Sequence, residues 1–221
     1  TLGAAETGAR RIRVHQDLIT GERALAANAE RLGPADRFDS VPLGPETFRG
    51  ATTVLLRLPR ALDRLAEVAA LIAAYADPSV RLFATGRIKH MSVSMNEVLH
   101  TVFDRVDVTR ARQKSRVLIA SGPRVSDGAH ATAEWPRRLN HPDLGLTVVA
   151  HGGVFAGTRI DIGTRFLLDQ SPQFPDVASA VDLACGSGVI AAALARRHPT
   201  LRVTATDRSA AAVSSARATA R

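Results

Sequence analysis

A short segment with two glycines carries the residues best suited to bind a cofactor. Its sequence, VDLACGSGV at 181–189, runs from an apolar stretch typical of a buried strand into a turn at Gly186 and Gly188, and a helical pattern follows. Glycines at such a turn let the backbone approach a ligand where a side chain would collide, and the start of the helix offers free N–H groups. Asp207 lies nineteen residues beyond Gly188, at the end of the next predicted strand. An acid at that distance suits the diol of a ribose.

Two cofactors compete for this pattern. The letters GSGVIA satisfy the dinucleotide fingerprint G-x-G-x-x-A, which favours NAD. Asp182, just before the turn, would face the pyrophosphate of NAD with a like charge. S-adenosylmethionine carries an ammonium and a sulfonium instead, which an acid attracts, so we expect this methyl donor rather than NAD. A glycine turn without any ligand is the remaining alternative.

The composition is that of an ordinary globular protein. The chain has 221 residues, 45% of them apolar and 23% charged. It contains no run of about 20 uncharged apolar residues, which a membrane-spanning helix needs, and no signal-peptide pattern. Cys185 is the single cysteine, and no Cys/His cluster has zinc spacing. We therefore expect a cytoplasmic protein with no membrane segment and no metal, and a monomer.

The net charge of +8 indicates a polyanionic partner. All of the basic residues except Lys89 and Lys114 are arginines, and alanine is abundant. Because a GC-rich genome also produces such a composition, the charge alone leaves a nucleic-acid partner undecided.

The first half of the chain alternates strand and helix patterns. The strand 53–58 is a near-continuous apolar run, typical of a strand buried on both faces. Alternation of this kind implies a largely parallel sheet, so we expect residues 1–122 to form one α/β domain. The predicted strands are 11–16, 53–58, 80–85 and an extended segment at 106–121; the predicted helices are 21–32, 60–75 and 95–103.

Turn and breaker dipeptides mark a change of texture between Gly122 and Pro142, so we expect 123–145 to be a linker. A second domain is expected at 146–221. Its predicted strands are 146–151, 180–184 and 201–206; its predicted helices lie within 160–170, at 189–197 and from 209 onward. The chain begins without Met and stops at Arg221 inside a helical pattern, which predicts a fragment of a longer protein.

The two halves echo one another. RIRVHQD at 11–17 and LRVTATD at 201–207 are each followed by an alanine-rich helical segment. Two tandem copies of one α/β fold would show this similarity, although any two strand–helix units share some of it. The first copy has no glycine-rich loop, so it would carry no cofactor.

Several ordered segments resemble the small-domain methyltransferases that modify guanine N2 in ribosomal RNA, above all the branch acting on the large subunit. FAGTRIDIGTRFLLDQSP at 155–172 precedes VDLACGSGVIAAALARRHPTLRVTATDRSAAAVSSARATA at 181–220. TTVLLRLPRALDRLAEVAALI, VRLFATGRIKHMS and VTRARQKSRVLIASG resemble the family's amino-terminal domain. The resemblance implies two tandem Rossmann-like methyltransferase folds, the first degenerate and used for RNA recognition, the second incomplete at its carboxyl end.

The resemblance also implies site residues. The cofactor loop falls on Asp182, Cys185, Gly186 and Gly188, and the ribose acid on Asp207; a segment covering the cofactor falls on Phe155, Thr158, Asp161 and Gly163. Ala184 stands where many methyltransferases have the first glycine. The catalytic Asn-Pro-Pro-Phe segment is absent, so the catalytic residues stay unknown. The implied reaction is in-line transfer of a methyl group to an unstacked guanine.

Basic residues in the first half are candidates for RNA contacts. Arg110, Arg112, Lys114 and Arg116 alternate, so in one strand all four would project from one face and could follow phosphates. The plain alternative is a charged edge strand that blocks pairing. Arg87 and Lys89 follow the strand 80–85, where loops of α/β sheets commonly bind ligands.

Two rival functions remain open. The chain could belong to a methyltransferase for another substrate, such as a protein glutamine, although a basic α/β amino-terminal domain is not expected there. It could also be a non-catalytic RNA-binding protein whose methyltransferase half is a remnant. Competition by RNA tests the first rival, and binding of S-adenosylmethionine tests the second.

Overall fold

The computed structural model describes residues 11–32, 35–124, 134–174 and 176–221. The chain divides into two compact units, one made of 1–43 with 136–221 and the other of 44–135. Among the described residues, no helix combines the length and the apolar character that crossing a bilayer requires.

The unit at 44–135 is built on a four-stranded sheet whose strands lie in the order β3 (Thr53–Arg57), β4 (Arg81–Arg87), β6 (Ser115–Pro123) and β5 (Phe103–Val108). The pair β3/β4 is parallel, whereas β4/β6 and β5/β6 are antiparallel. The expectation of a largely parallel sheet is therefore wrong for this half, because a hairpin rather than a helix joins β5 to β6. Its elements are α2 (Pro45–Phe48), β3 (Thr53–Arg57), α3 (Leu62–Tyr75), β4 (Arg81–Arg87), α4 (Val93–His100), β5 (Phe103–Val108) and β6 (Ser115–Pro123).

The hairpin turn lies inside the segment expected to be extended from 106 to 121. Gln113 and Lys114 both have positive φ, 48° and 59°, and Arg112 and Ser115 exchange two backbone hydrogen bonds of 2.9 Å. Two left-handed residues between strands define a tight hairpin turn. Since the chain reverses there, the four alternating basic residues do not share one face of one strand, and that geometric expectation is wrong.

The core of this unit lies under α3 and α4. Leu65 and Ile72 on α3, Leu99 on α4, and Leu82 on β4 are completely buried. β3, in contrast, is an edge strand of the sheet, and its Leu55 is 65% exposed. The prediction that 53–58 is buried on both faces is therefore wrong.

Among its described residues, the second unit contains three strand pairs. β1 (Ile12–Val14) pairs with β2 (Phe38–Ser40) in parallel, β9 (Ser179–Leu183) with β10 (Arg202–Thr206) in parallel, and β7 (Arg137–His141) with β8 (Leu146–Ala150) antiparallel. β7 falls within the segment expected to be a linker, because 137–141 folds back onto 146–150. Its elements are β1 (Ile12–Val14), α1 (Ile19–Leu32), β2 (Phe38–Ser40), β7 (Arg137–His141), β8 (Leu146–Ala150), α5 (Ile162–Asp169), β9 (Ser179–Leu183), α6 (Val189–Arg197), β10 (Arg202–Thr206) and α7 (Ala210–Thr219).

β9 and β10 run side by side and deliver their carboxyl ends to one edge. Their register aligns Asp182 with Ala205 and Leu183 with Thr206, so the segments after both strands start at the same level. Val181 and Leu183 are 68% and 82% exposed, and only Asp182 of this strand is buried. The predicted strand is present, but the expectation that it is buried is wrong because β10 is its one neighbour among the described strands.

Candidate functional site

The loop after β9 folds back on the end of β10. The N–H of Cys185 donates to the carbonyl of Thr206 at 2.9 Å, and the N–H of Gly188 donates to the carbonyl of Cys185 at 2.8 Å. Ala184, Gly186 and Gly188 all have left-handed backbone, with φ of 61°, 54° and 78°. The loop is thus a tight turn that starts α6, with Gly188 as the helix N-cap.

The two glycines meet different surroundings. A Cβ on Gly188 would lie 2.7 Å from the Cβ and 2.8 Å from the Cα of Ala216 on α7. A Cβ on Gly186 would have one described neighbour within 4 Å, the Cβ of Phe155 at 4.0 Å. Gly188 is therefore needed because the start of α6 packs closely against α7. The sequence pattern predicts instead that it lets a ligand approach the backbone. Gly186 opens onto free space and retains that expected role.

Asp182 is buried, with 8% of its surface exposed, and its Oδ2 accepts a hydrogen bond from the N–H of Ala191 at 3.1 Å. One N–H of the first turn of α6 is therefore already occupied, unlike the free helix start expected from the sequence. Burial raises the pKa of Asp182, and the negative charge of Asp207 raises it further, against the hydrogen bond from Ala191. A carboxylate at this position repels a phosphate and attracts a cation.

Asp207 lies at the carboxyl end of β10 and is held by two backbone N–H groups. Its Oδ2 accepts from Gly186 at 3.1 Å, and its Oδ1 accepts from Ser209 at 2.9 Å. Both oxygens keep lone pairs, so the carboxylate can accept from ligand hydroxyls as well. The structure brings Asp182, Gly186 and Asp207 into one site.

The thiol of Cys185, in the same loop, is not set up to act as a nucleophile. Burial, followed by the charges of Asp182 and Asp207, raises the pKa of its thiol. A nucleophilic cysteine needs a lowered pKa.

The covering segment divides into one residue near the loop and three with local structural contacts. Phe155 is 71% exposed and faces Gly186. The carbonyl of Thr158 accepts from His141 Nε2 at 2.8 Å, and Asp161 caps α5 by accepting from the N–H groups of Gly163 and Thr164. The described contacts therefore connect Phe155 with the cofactor loop and do not connect Thr158, Asp161 or Gly163 with it.

A basic cluster forms at one end of the sheet in the unit 44–135. The N–H of Ile88 donates to the carbonyl of Lys114 at 3.0 Å, and Arg87 is paired with Ser115, so the end of β4 lies against the hairpin tip. The six predicted RNA-contact residues are exposed at this end: Arg87, Lys89, Arg110, Arg112, Lys114 and Arg116.

Two further arginines join the basic cluster. Loss of hydration lowers the pKa of His90, and so do the positive charges of Arg60, Lys89, Arg87 and Arg57. The spacing of Arg57 and Arg60 in the sequence is not periodic and therefore predicts no common face. The signal that indicates them is their place at the end of β3 and just after it, since parallel strands such as β3 and β4 end at one edge of a sheet.

Comparison with known proteins identifies both parts of the chain. Residues 2–124, more than half of the chain, match the RLMG N-terminal domain, and residues 145–221 match the methyltransferase small domain. Ribosomal RNA large subunit methyltransferase G of Pseudomonas entomophila is 32% identical over 219 residues, which cover 98% of this chain and 57% of that protein. Its counterpart in Pseudomonas putida strain W619 is 34% identical over 87% of this chain and 51% of that protein.

A solved structure shows the same fold. The chain superposes with a TM-score of 0.70 and 20% identity on the T. thermophilus 16S rRNA N2 G1207 methyltransferase RsmC in complex with AdoMet and guanosine, covering 94% of this chain and 55% of that one. The chain therefore has an α/β methyltransferase fold. It spans little more than half the length of these relatives. By the family model that matches more than half of its length, the chain belongs to the family with an RLMG N-terminal domain, followed in this chain by a methyltransferase small domain.

Proposed function

We propose that this chain binds S-adenosylmethionine and is part of an enzyme that methylates ribosomal RNA at guanine N2. The observation that carries the proposal is the pair of carboxylates, Asp182 and Asp207, on either side of a loop that is open at Gly186. The names of the relatives support large-subunit ribosomal RNA as the substrate. The complex of RsmC with AdoMet and guanosine supports the cofactor and the target base.

The residues present fit this cofactor. Asp207 is held by two amides and can accept hydrogen bonds from the ribose hydroxyls. Asp182 occupies the start of α6 with negative charge, which favours a cationic ligand over a pyrophosphate. Gly186 leaves room above the loop, and Phe155, beside it, is largely exposed. The cofactor supplies an activated methyl group; these residues bind and orient it.

The basic cluster is proposed to bind RNA. Loss of hydration and the positive charges of Arg60, Lys89, Arg87 and Arg57 lower the pKa of His90, and the hairpin tip adds four more basic side chains at the same end of the sheet. Concentrated positive charge of this kind binds phosphates with strong salt dependence. The role extends the expectation that the first half of the chain is a degenerate methyltransferase fold for RNA recognition, ahead of the cofactor domain at 146–221.

Calorimetric titration of the 221-residue chain with S-adenosylmethionine tests the cofactor. Asp207→Ala should weaken binding at least about tenfold, since a hydrogen bond to a charged group contributes about 1.5–3 kcal/mol. Asp36→Ala, which removes an exposed acid outside the site by the same truncation, is the matched control and should bind as the wild type does. A wild-type chain that binds no S-adenosylmethionine would overturn the proposal.

Salt dependence tests the RNA contacts. For a single-stranded or duplex fragment of large-subunit ribosomal RNA, Arg112→Ala with Lys114→Ala should reduce the slope of log K against log salt by about 1 to 2. The control pair Arg23→Ala with Arg202→Ala removes the same charge from the other compact unit. Equal slopes for the wild type and the Arg112/Lys114 variant would refute the contact.

A further inference from the structure

The beginning of the chain contacts the start of α7, next to the proposed ribose acid. The N–H of Ile19 donates to the carbonyl of Arg208 at 3.0 Å, and the N–H of Ala210 donates to the carbonyl of Asp17 at 2.8 Å. These two bonds flank an antiparallel bridge between Leu18 and Ser209. All of these residues lie in one compact unit, although about 190 positions of sequence separate them.

The side chain of Asp17 binds the same helix start. Its Oδ2 accepts from the hydroxyl of Ser209 at 2.8 Å, and its Oδ1 accepts from the N–H of Ala211 at 3.0 Å. Ser209 is the N-cap of α7, and its hydroxyl also accepts from the N–H of Ala212 at 3.2 Å. A negative charge at a helix N-terminus is favourable, because the unpaired N–H groups there carry partial positive charge.

Ser209 connects this contact to the cofactor site. Its backbone N–H donates to Oδ1 of Asp207 at 2.9 Å, while its hydroxyl donates to Asp17. One residue is thus bonded to both carboxylates. Any shift of Ser209 moves the amide that holds Asp207, and the Asp17 contact opposes such a shift. In the described part of the chain, the other group bonded to Asp207 is the N–H of Gly186, which belongs to a loop with left-handed backbone and open surroundings.

We propose that Asp17 is a positioning residue for Asp207, so that the amino-terminal segment around β1 and α1 completes the ribose end of the cofactor site. This inference rests on the proposed function. It assigns a role in cofactor binding to a part of the chain that lies outside the methyltransferase small domain, which begins at residue 145. The ligand concerned is the ribose diol of an adenosine-containing cofactor.

Binding of ligands with and without ribose hydroxyls tests whether Asp17 positions Asp207 or only stabilises the fold. The wild-type chain and Asp17→Ala are titrated with S-adenosylhomocysteine and with its 2′,3′-dideoxy analogue (the deoxy analogue), which lacks both ribose hydroxyls. We expect Asp17→Ala to weaken binding of S-adenosylhomocysteine about tenfold, as for a lost hydrogen bond to a charged group, and to leave the deoxy analogue nearly unchanged. Equal losses for both ligands, or no loss for either, would overturn the proposal.

Three further variants secure the result. Asp17→Asn keeps one acceptor oxygen and should recover part of the discrimination between the two ligands. Ser209→Ala removes the hydroxyl that Asp17 binds but keeps the amide, so it should show the same loss of affinity as Asp17→Ala. It replaces Asp17→Ala in the experiment if that variant fails to fold. Asp36→Ala removes an exposed acid of the same amino-terminal segment and should change neither affinity.

The outcomes distinguish this inference from the proposed function. A wild-type chain that binds neither ligand overturns both. A wild-type chain that prefers S-adenosylhomocysteine to its deoxy analogue, together with an Asp17→Ala variant that retains the same preference, overturns the role of Asp17 alone.

Discussion

The hydroxyl of Thr219 is bonded to both backbone groups of Val149. It accepts from the N–H at 3.0 Å and donates to the carbonyl oxygen at 3.3 Å. One turn earlier on α7, the hydroxyl of Ser215 accepts from the N–H of His151 at 3.0 Å. Residues four apart share a helix face, and residues two apart share a strand edge. Side chains of α7 thus provide the hydrogen bonds that a neighbouring strand would otherwise make along the edge of β8 that faces away from β7.

Removing the Thr219 hydroxyl should destabilise the chain. Thr219→Val keeps the shape of the side chain but leaves the N–H of the buried Val149 unsatisfied, so the free energy of unfolding should fall by about 1–3 kcal/mol. Ser214→Ala is the control: its hydroxyl is exposed, water can replace its contact with His151, and its effect should stay within about 0.5 kcal/mol. Urea unfolding measures both. Equal effects would contradict the role assigned to Thr219.

Alanine substitutions at Gly188 and Gly186 in the cofactor loop should affect different properties, the first mainly the free energy of unfolding and the second mainly cofactor binding. Gly188→Ala places a methyl group 2.8 Å from the Cα of Ala216 in left-handed backbone and should lower the free energy of unfolding by about 3 kcal/mol. Gly186→Ala meets no such overlap, so it should lose only about 1 kcal/mol of stability while binding S-adenosylmethionine more than about tenfold more weakly. Denaturation and calorimetry on the same preparations measure the two quantities. If both variants bound S-adenosylmethionine more weakly but had the same free energy of unfolding, the separate roles assigned to Gly188 and Gly186 would be refuted.

Ala184 adopts a backbone conformation that favours glycine. Its φ is 61°, where a side chain costs roughly 1–2 kcal/mol relative to the right-handed region. Ala184→Gly should therefore raise the free energy of unfolding by about 1 kcal/mol, after the greater freedom of glycine in the unfolded chain is subtracted. A lower free energy of unfolding in urea would show that the alanine methyl group contributes more by packing than its conformation costs.

Local patterns predicted most of the elements. The helix 189–197 and the strands 53–57, 146–150, 179–183 and 202–206 lie where apolar periodicity and turn residues placed them, within one or two residues. Ser209 signalled the start of α7 correctly, since Ser is a strong N-cap. Asp161 carries an N-cap signal of the same kind, followed by a short helix, whereas its expected place over the cofactor depends on the resemblance alone.

Features that depend on distant contacts could not be predicted in this way. The hairpin turn uses Gln113 and Lys114, neither of which is a typical residue for left-handed backbone, so the sequence carries no turn signal there. The contact of Asp17 with Ser209 joins opposite ends of the chain. The echo between 11–17 and 201–207 does place Asp17 and Asp207 at equivalent positions, yet similarity between two segments does not say that they touch.

Asp182 should make the stability of the free chain and its affinity for the cofactor depend on pH in opposite directions. Its pKa in the folded chain is raised above the ordinary value by burial and by Asp207, so its ionisation opposes folding. The stability that the protonated group provides is present below the unfolded pKa and is lost as the pH rises through the raised folded pKa. Asp182→Asn should therefore unfold at higher urea concentration than the wild type at neutral pH, and the difference should vanish at about pH 3, where the carboxyl is protonated in both states.

Binding of S-adenosylmethionine should reverse this dependence. A cationic ligand favours the ionised carboxylate and lowers its pKa, so binding should release protons, and affinity should fall as the pH drops through the raised pKa of the free chain. Calorimetry in two buffers with different ionisation enthalpies counts the protons directly. Asp182→Asn should bind more weakly at neutral pH and lose most of the proton release. Proton uptake on binding by the wild type, or a release that Asp182→Asn preserves in full, would show that another group controls the pH dependence.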